Sequence, residues 1–437
     1  MKKTITLILL FVSLSNSYFS QVPTPTLNFG ITSHNEPAEN YTTAANFNQT
    51  RDTLRKIVDL VFAKGAKYNM QLNPNFVQGS LTHESAGTAT TDIIQYAYNI
   101  GGVPANVVQI DPRYKTTGVY NIADVSYSIN LTGAQASKVV GGFVYYNGTV
   151  TPSQSYAVGD WMPYTTTITA QSAPTFTWKA NVIWGAGSLP PHDNDASNYG
   201  VWKPRGKNDS IDFYCHDPAQ NVWLQGNGCS WVLTPTTNVN SLIAEIRSEA
   251  TKIQNGTYPA NKFYNGTLMI NFKDFGTSTI TPTFQMPAIL SRVLDSINVM
   301  KTQGKINWKT IDQKQTAFAA WSGSTSITHS QWRCGQTTTL SPTCAPNGIS
   351  DYSYIKDNYL SMMPNPATDK LIVTWSGQMN DKTVLYIFDN LGRMVYEEKI
   401  SQSIVEVNTQ KFNSGIYTVV VSNDAGQSKP QKLIIGK

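Results

Sequence analysis

Strand and helix signals alternate along the first third of this chain, and that alternation limits what it can fold into more than any other feature. Residues 26–32 form a short apolar and β-branched run. A helical pattern follows over 43–65, where Leu54, Ile57, Val58, Leu60, Val61 and Phe62 recur every third or fourth residue. Arg51, Asp52, Arg55, Lys56, Asp59 and Lys64 take the opposite face, and Gly65 offers a C-cap. Strand signals return at 66–72, 107–110 and 139–145, and helical ones at 91–100 and 123–131. Near the far end, 267–272 reads as a strand and 287–301 as a helix, with Ile289, Leu290, Val293, Leu294, Ile297 and Met300 on one face. Parallel strands need crossovers of a dozen or more residues, usually helices. The rhythm therefore predicts an α/β fold with a parallel sheet or barrel. Between about 146 and 260 it is interrupted by a stretch rich in Trp, Gly, Asn and Pro, read as a loop- and β-rich insertion.

Composition narrows the setting. Charged residues are only 14 % of the chain, so solubility rests on Thr, Asn, Ser and Tyr, as in extracellular proteins. A net charge of +5 with no basic run gives no case for nucleic acid, whose binders cluster Lys and Arg. Lys2 and Lys3, the apolar stretch 5–12 and the small residues Ser15-Asn16-Ser17 read as a signal peptide over 1–20. No later stretch is long and apolar enough for a spanning helix. Ten Trp and twenty-two Tyr suit sugar recognition in a secreted protein, and equally suit a β-rich core.

Four cysteines, Cys215, Cys229, Cys334 and Cys344, allow three pairings. In an oxidising compartment the local pairs Cys215–Cys229 and Cys334–Cys344 are expected, as staples and not as a zinc site.

The last eighty or so residues carry an address. Leu360-Ser361-Met362-Met363-Pro364-Asn365-Pro366-Ala367 opens the segment, and Leu385-Tyr386-Ile387-Phe388-Asp389-Asn390-Leu391-Gly392-Arg393 occupies its middle. Ser414-Gly415-Ile416-Tyr417 follows, and Lys432-Leu433-Ile434-Ile435 ends it. Short β-branched runs bounded by Gly, Asn and Asp predict a small all-β sandwich over 351–437. A fibronectin-like binding module is the plainer reading. The order of motifs from about 357 resembles the type A C-terminal sorting domain of the type IX secretion system. That resemblance implies the type IX machinery as partner, and export to the surface or beyond it.

Within a domain expected over 21–350, about 27–145 and 265–315 resemble the polysaccharide-deacetylase-like superfamily, whose fold is an irregular (β/α) barrel. The resemblance rests on a first strand ending in His34-Asn35-Glu36, on the segment 64–73, and on a late strand, helix and closing segment over 268–311. It implies a metal-assisted deacetylase. The chain departs from the pattern: His34 and Glu36 stand where paired Asp is usual, and no His-x-x-x-His follows Asp111.

Candidate site residues follow from the barrel rule that active groups sit at the carboxyl ends of strands. Glu36 and His34 alternate in an extended segment and can share a face. His192, Asp193 and Asp195 offer nitrogen and oxygen donors within four residues, and a stapled loop holds His216. The expected catalytic groups are Glu36, Asp193 and His216. A divalent metal would be held by His34, His192 and Asp195, and substrate by Trp184, Trp202, Arg113 and Tyr114. The plainer readings are a cap or loop bridge at His34–Glu36, an Asx-rich turn at 192–195, and core Trp. No G-x-S-x-G, HExxH or phosphate-binding glycine loop is present.

Two function classes stand. One is a secreted carbohydrate-active hydrolase, either a metal-assisted deacetylase or a metal-free glycoside hydrolase. The other is a non-catalytic glycan-binding or adhesion protein.

Overall fold

A computed structural model of the chain describes residues 25–36, 39–84, 92–113, 120–143, 161–185, 200–206, 213, 215–275, 285–332, 335, 360–377, 379–423, 426–428 and 430–437. The expected signal peptide lies outside these residues. The chain forms two compact units, Met1–Cys344 and Ala345–Lys437. Among the described residues no helix is long and apolar enough to cross a membrane.

The first unit opens with β1 (Leu27–His34), α1 (Ala44–Ala63), β2 (Tyr68–Leu72), α2 (Pro74–His83) and α3 (Ile93–Asn99). It continues with β3 (Val108–Pro112), α4 (Ile122–Leu131) and β4 (Val139–Phe143). Local chemistry explains the boundaries. The Thr43 hydroxyl accepts the Asn46 N–H and starts α1, which buries Leu54, Ile57, Val58 and Val61. Asn121 and Asp124 close a capping box at the start of α4. Pro74 occupies the first turn of α2, where its missing N–H costs nothing.

The middle of the unit holds β5 (Ile168–Thr169), β6 (Thr177–Trp178), β7 (Val182–Gly185), β8 (Val201–Trp202), β9 (Trp223–Gly226) and β10 (Cys229–Val232). Then come α5 (Val239–Gln254), β11 (Tyr264–Asn271), α6 (Met286–Thr302), β12 (Ile306–Trp308) and α7 (Ile311–Thr325). The stretch expected as an insertion is thus partly woven in. It supplies β10 to the first sheet, and Leu242, Ile246 and Ile253 of α5 to the main core. Ser322-Gly323-Ser324, which look like a linker in sequence, lie inside α7.

The first sheet runs β10-β11-β1-β2-β3, all parallel, with β12 also parallel to β1. A second sheet runs β4-β7-β9-β8, parallel except for the β8 edge. A parallel bridge from Arg113 to Gly141 joins the end of β3 to β4. At the other side the chain passes from β9 into β10 through Asn227 and Gly228.

The strands of the first sheet alternate. Phe29, Ile31, Met70, Leu72, Ile110, Leu268 and Ile270 lie in the core formed with the helices. The alternate positions Thr32, His34, Asn69, Gln71, Gln109, Asp111 and Thr267 are polar, yet buried as well. Parallel sheets are covered on both faces, so these polar groups must find partners inside. α7 supplies several. Ile311 N–H donates to Asn69 Oδ1 (3.1 Å), Asp312 N–H to Gln109 Oε1 (3.1 Å), and Lys314 Nζ to the Gly266 carbonyl (2.9 Å).

The second unit is all-β: β13 (Leu360–Met363), β14 (Lys370–Trp375), β15 (Val384–Phe388), β16 (Met394–Lys399), β17 (Ile404–Asn408), β18 (Gly415–Asn423), β19 (Gly426–Gln427) and β20 (Gln431–Ile435). The antiparallel sheets β13-β14-β17 and β16-β15-β18-β19, with β20 on β18, share one core of Leu371, Val373, Trp375, Leu385, Ile387, Val419, Val421 and Leu433.

Candidate functional site

Three parallel strands deliver the candidate residues. His34 ends β1, Gln71 lies near the end of β2, and Arg113 follows β3. Register sets them side by side, because His34 pairs with Gln71 and Gln71 with Asp111. The turn after β1 is fixed by asparagines. Asn35 Oδ1 accepts the Asn73 N–H (2.8 Å), its Nδ2 donates to Asn75 Oδ1 (2.6 Å), and its carbonyl accepts from Asn73 Nδ2 (2.8 Å) and Arg113 Nη1.

That turn holds Glu36 between two cations or potential cations. His34 Nε2 and Arg113 Nη2 each lie 3.0 Å from Glu36 Oε1. Arg113 is buried, whereas the Glu36 side chain is 34 % exposed. Burial works to raise the Glu36 carboxyl, but the His34 hydrogen bond and the Arg113 guanidinium outweigh it. They hold it well below the usual carboxylate range.

Beside this charged group, both amide atoms of Gln71 and Arg113 Nε are buried and make no hydrogen bond among the described residues. Gly141 and Gly142 in β4 leave them room. A Cβ on Gly141 would sit 2.7 Å from Gln71 Cδ, and Gly142 takes φ +68 with Arg113 Nε 3.0 Å from where its Cβ would be. The β4–β7 register shifts at these two glycines, opposite Trp184. Gln71, Gly141 and Gly142 were not foreseen, although Gln71 alternating with Asn69 inside a strand is a legible sign of a polar face. Glu39 was missed too. It follows Glu36 in a closed turn, accepts the Tyr41 hydroxyl (2.7 Å), and is raised above its ordinary value by burial, with the Glu36 charge adding to it.

Other expected residues are placed elsewhere. Trp184 is buried among Val139, Val182 and Ile311. Trp202 is fully buried, with its indole N–H donated to the Phe213 carbonyl (2.8 Å), so it presents no face to a substrate. His216 stacks on His329 (4.6 Å) and on Trp223 (6.0 Å), the first residue of β9. It therefore lies toward the amino-terminal ends of the strands, whereas Glu36 lies beyond their carboxyl ends, and the two are not brought together. Burial, with His329 and Lys203 adding, pushes His216 down to about 4. Tyr114, His192, Asp193, Asp195, Cys334 and Cys344 lie outside the described residues. Cys215 and Cys229 are both buried and disulfide-bonded.

Of the expected metal ligands His34, His192 and Asp195, only His34 lies among the described residues, with its Nε2 turned to Glu36 Oε1. Among the described residues no three His, Cys, Asp or Glu gather to hold an ion. At His34–Glu36 the Arg113 guanidinium already holds Glu36 Oε1, and a metal there would meet a like charge.

The tail is where comparison with known proteins decides something. Residues 361–436 match the secretion system C-terminal sorting domain family. The second unit is a sorting domain. It marks the chain as a substrate of type IX secretion, sent to the cell surface or beyond through that machinery. The match lies wholly within this domain. Compared by sequence with the curated proteins, the chain matches none. Among solved structures it is similar to PorZ, an essential surface component of the type IX secretion system of Porphyromonas gingivalis. There the identity is 20 % and the TM-score 0.16, over 18 % of this chain and 11 % of that one. It is similar to dimeric latent PorU of the same organism at 22 % identity and TM-score 0.15, over 17 % and 9 % of the two chains. A third similarity, at 11 % identity and TM-score 0.38, is to 4-alpha-glucanotransferase of Thermococcus litoralis, over 67 % of this chain and 40 % of that one. The chain thus spans about a tenth of the PorZ and PorU chains.

Proposed function

We propose that the first unit is the cargo that the sorting domain exports, a glycan hydrolase working through carboxylates at one end of an irregular (β/α) barrel. Two junctions support closure of the barrel: the Arg113–Gly141 bridge between β3 and β4, and the passage of the chain from β9 to β10. Val139, Val182 and Trp184 from the second sheet also cluster with Ile311, and Met269 of the first sheet packs against them.

The observation that carries the functional reading is the part-exposed Glu36 carboxylate, held between His34 and Arg113 at the carboxyl ends of the strands. Glu36 stays ionised at neutral pH, so it serves as nucleophile or base and not as the proton donor. His34 and Arg113 position it. Asp193, in the segment after β7, is our candidate for the acid. Metal-assisted deacylation is not adopted, because Arg113 takes the place a cation would need.

The test is reducing-end release from a panel of polysaccharides by the mature protein and by Glu36→Gln. The expected result is turnover lost by at least about a thousandfold, with glycan affinity kept within a few-fold. Wild-type protein that binds glycans and releases nothing would overturn the enzyme reading in favour of a binding protein.

A further inference from the structure

The ends of the strands opposite Glu36 hold a feature that the hydrolase reading does not use. A cavity of about 320 Å³ opens there, lined by Asn28, Lys262, Phe263, Asn307, Lys309 and Trp321 among others. Lys262 and Phe263 lead into β11, Asn307 lies in β12 and Lys309 just after it, and Trp321 comes from α7. From Asn28 to His34, β1 climbs six residues, roughly 20 Å at strand rise, so this cavity and the Glu36 site are well separated.

Its chemistry is one-sided. None of the lining residues is acidic, and among the described residues neither Lys262 nor Lys309 makes an ion pair. Lys262 is half-buried, and burial alone lowers its ammonium. Lys309 shares its surroundings with Lys67, which is lowered by burial first and then by Lys301 and Lys309. Part-buried cations without counter-charge are costly, and an anion relieves the cost. Asn28 is 6 % exposed. Its Nδ2 donates to the Tyr264 carbonyl (3.2 Å), which leaves Oδ1 for a ligand's donor. The Trp321 ring is backed by Phe263 and Phe318, each at 5.8 Å, and is part-exposed. A flat ring supported on one side matches the C–H face of a pyranose. The volume is at the low end of the roughly 300–1,000 Å³ range of small-molecule sites, suited to one sugar residue with its substituents.

We infer that this cavity is a second binding site, for an acidic sugar residue of an anionic polysaccharide. Its carboxylate or sulfate meets Lys262 and Lys309, its ring lies on Trp321, and a hydroxyl donates to Asn28 Oδ1. The site holds an anionic glycan whether or not the Glu36 end is catalytic.

Calorimetric titration of the mature full-length protein tests it with three probes: a galacturonate tetramer, a carboxylate-free sulfated tetrasaccharide of the carrageenan type and neutral maltotetraose. At least one acidic probe is expected to bind ten or more times tighter than the neutral one, more weakly as salt rises. The two acidic arms distinguish carboxylate from sulfate. Lys262→Gln/Lys309→Gln and, separately, Trp321→Ala are each expected to weaken binding at least tenfold, while Glu36→Gln binds as wild type. Circular dichroism checks the fold. If the double variant does not fold, Trp321→Ala and the salt dependence of wild type decide. Equal binding of neutral and acidic probes, no binding of either acidic probe, or folded variants with unchanged affinity would overturn the proposal.

Discussion

Replacing Arg113 by Met tests the frame of the Glu36 site directly. Met keeps much of the apolar stem and removes the guanidinium. The Asn35 carbonyl then loses the Arg113 donor beside Asn73 Nδ2, and Glu36 Oε1 loses the guanidinium while His34 Nε2 stays 3.0 Å away. Breaking a fully buried ion pair from one side costs about 3–5 kcal/mol, whereas an exposed pair is worth about 0–1 kcal/mol. Arg113 is buried but Glu36 is one-third exposed, so the expected loss is about 2 kcal/mol at neutral pH. The pH dependence has a definite sign. The Glu36 carboxyl is held below its ordinary value of 4.5 in the folded protein. Its contribution is therefore complete above that value and fades as pH falls below it. The gap between wild type and variant should be full at pH 7 and shrink below about pH 4.5. Urea unfolding followed by tryptophan fluorescence reports this unit, because nine of the ten tryptophans precede residue 345. A variant within about 0.5 kcal/mol of wild type, or a gap equally large at pH 3.5 and pH 7, would refute the reasoning.

Two other perturbations probe the framework. Lys314 is buried, and burial pushes its ammonium down to about 7 from 10.5, so it opposes folding most at and below neutral pH. Lys314→Met, despite losing the hydrogen bond to Gly266, should stabilise the unit by about 2–3 kcal/mol at pH 6. That advantage should fall away as pH rises toward 10.5; chemical unfolding at both ends of the range checks it, and an advantage that grows with pH would contradict it. Gly228, where β9 gives way to β10, has φ +73, and a Cβ there would lie 2.0 Å from the Asn265 carbonyl oxygen. Gly228→Ala should cost at least about 3 kcal/mol, read as a lowered melting temperature; a wild-type melt would show that the junction is not tight.

Legibility varied with range. Helix α1 shows in sequence because its apolar spacing and its cap lie within twenty residues. Helix α7 does not, because it meets a polar interior: buried Lys314, with Ile311 and Asp312 N–H given to Asn69 and Gln109, breaks the usual amphipathic stripe. His34, Glu36 and Arg113 stand out as polar residues just past strand ends. Gly141 and Gly142 matter only through neighbours on other strands, so nothing local marks them, and the alternation of Gln71 with Asn69 marks a polar face without saying what it meets.

Taken alone, the sequence determined the alternation of strand and helix and the sorting address at the carboxyl end. Both are written in spacings of a few residues and in short motifs. Only tertiary structure decided which strand lies beside which. That choice brings Arg113 to Glu36 across 77 positions and sends His216 to the other end of the strands. Periodicity is a property of neighbours in the chain, whereas an ion pair depends on the register of β1, β2 and β3, which forms only as the sheet and its covering helices pack together.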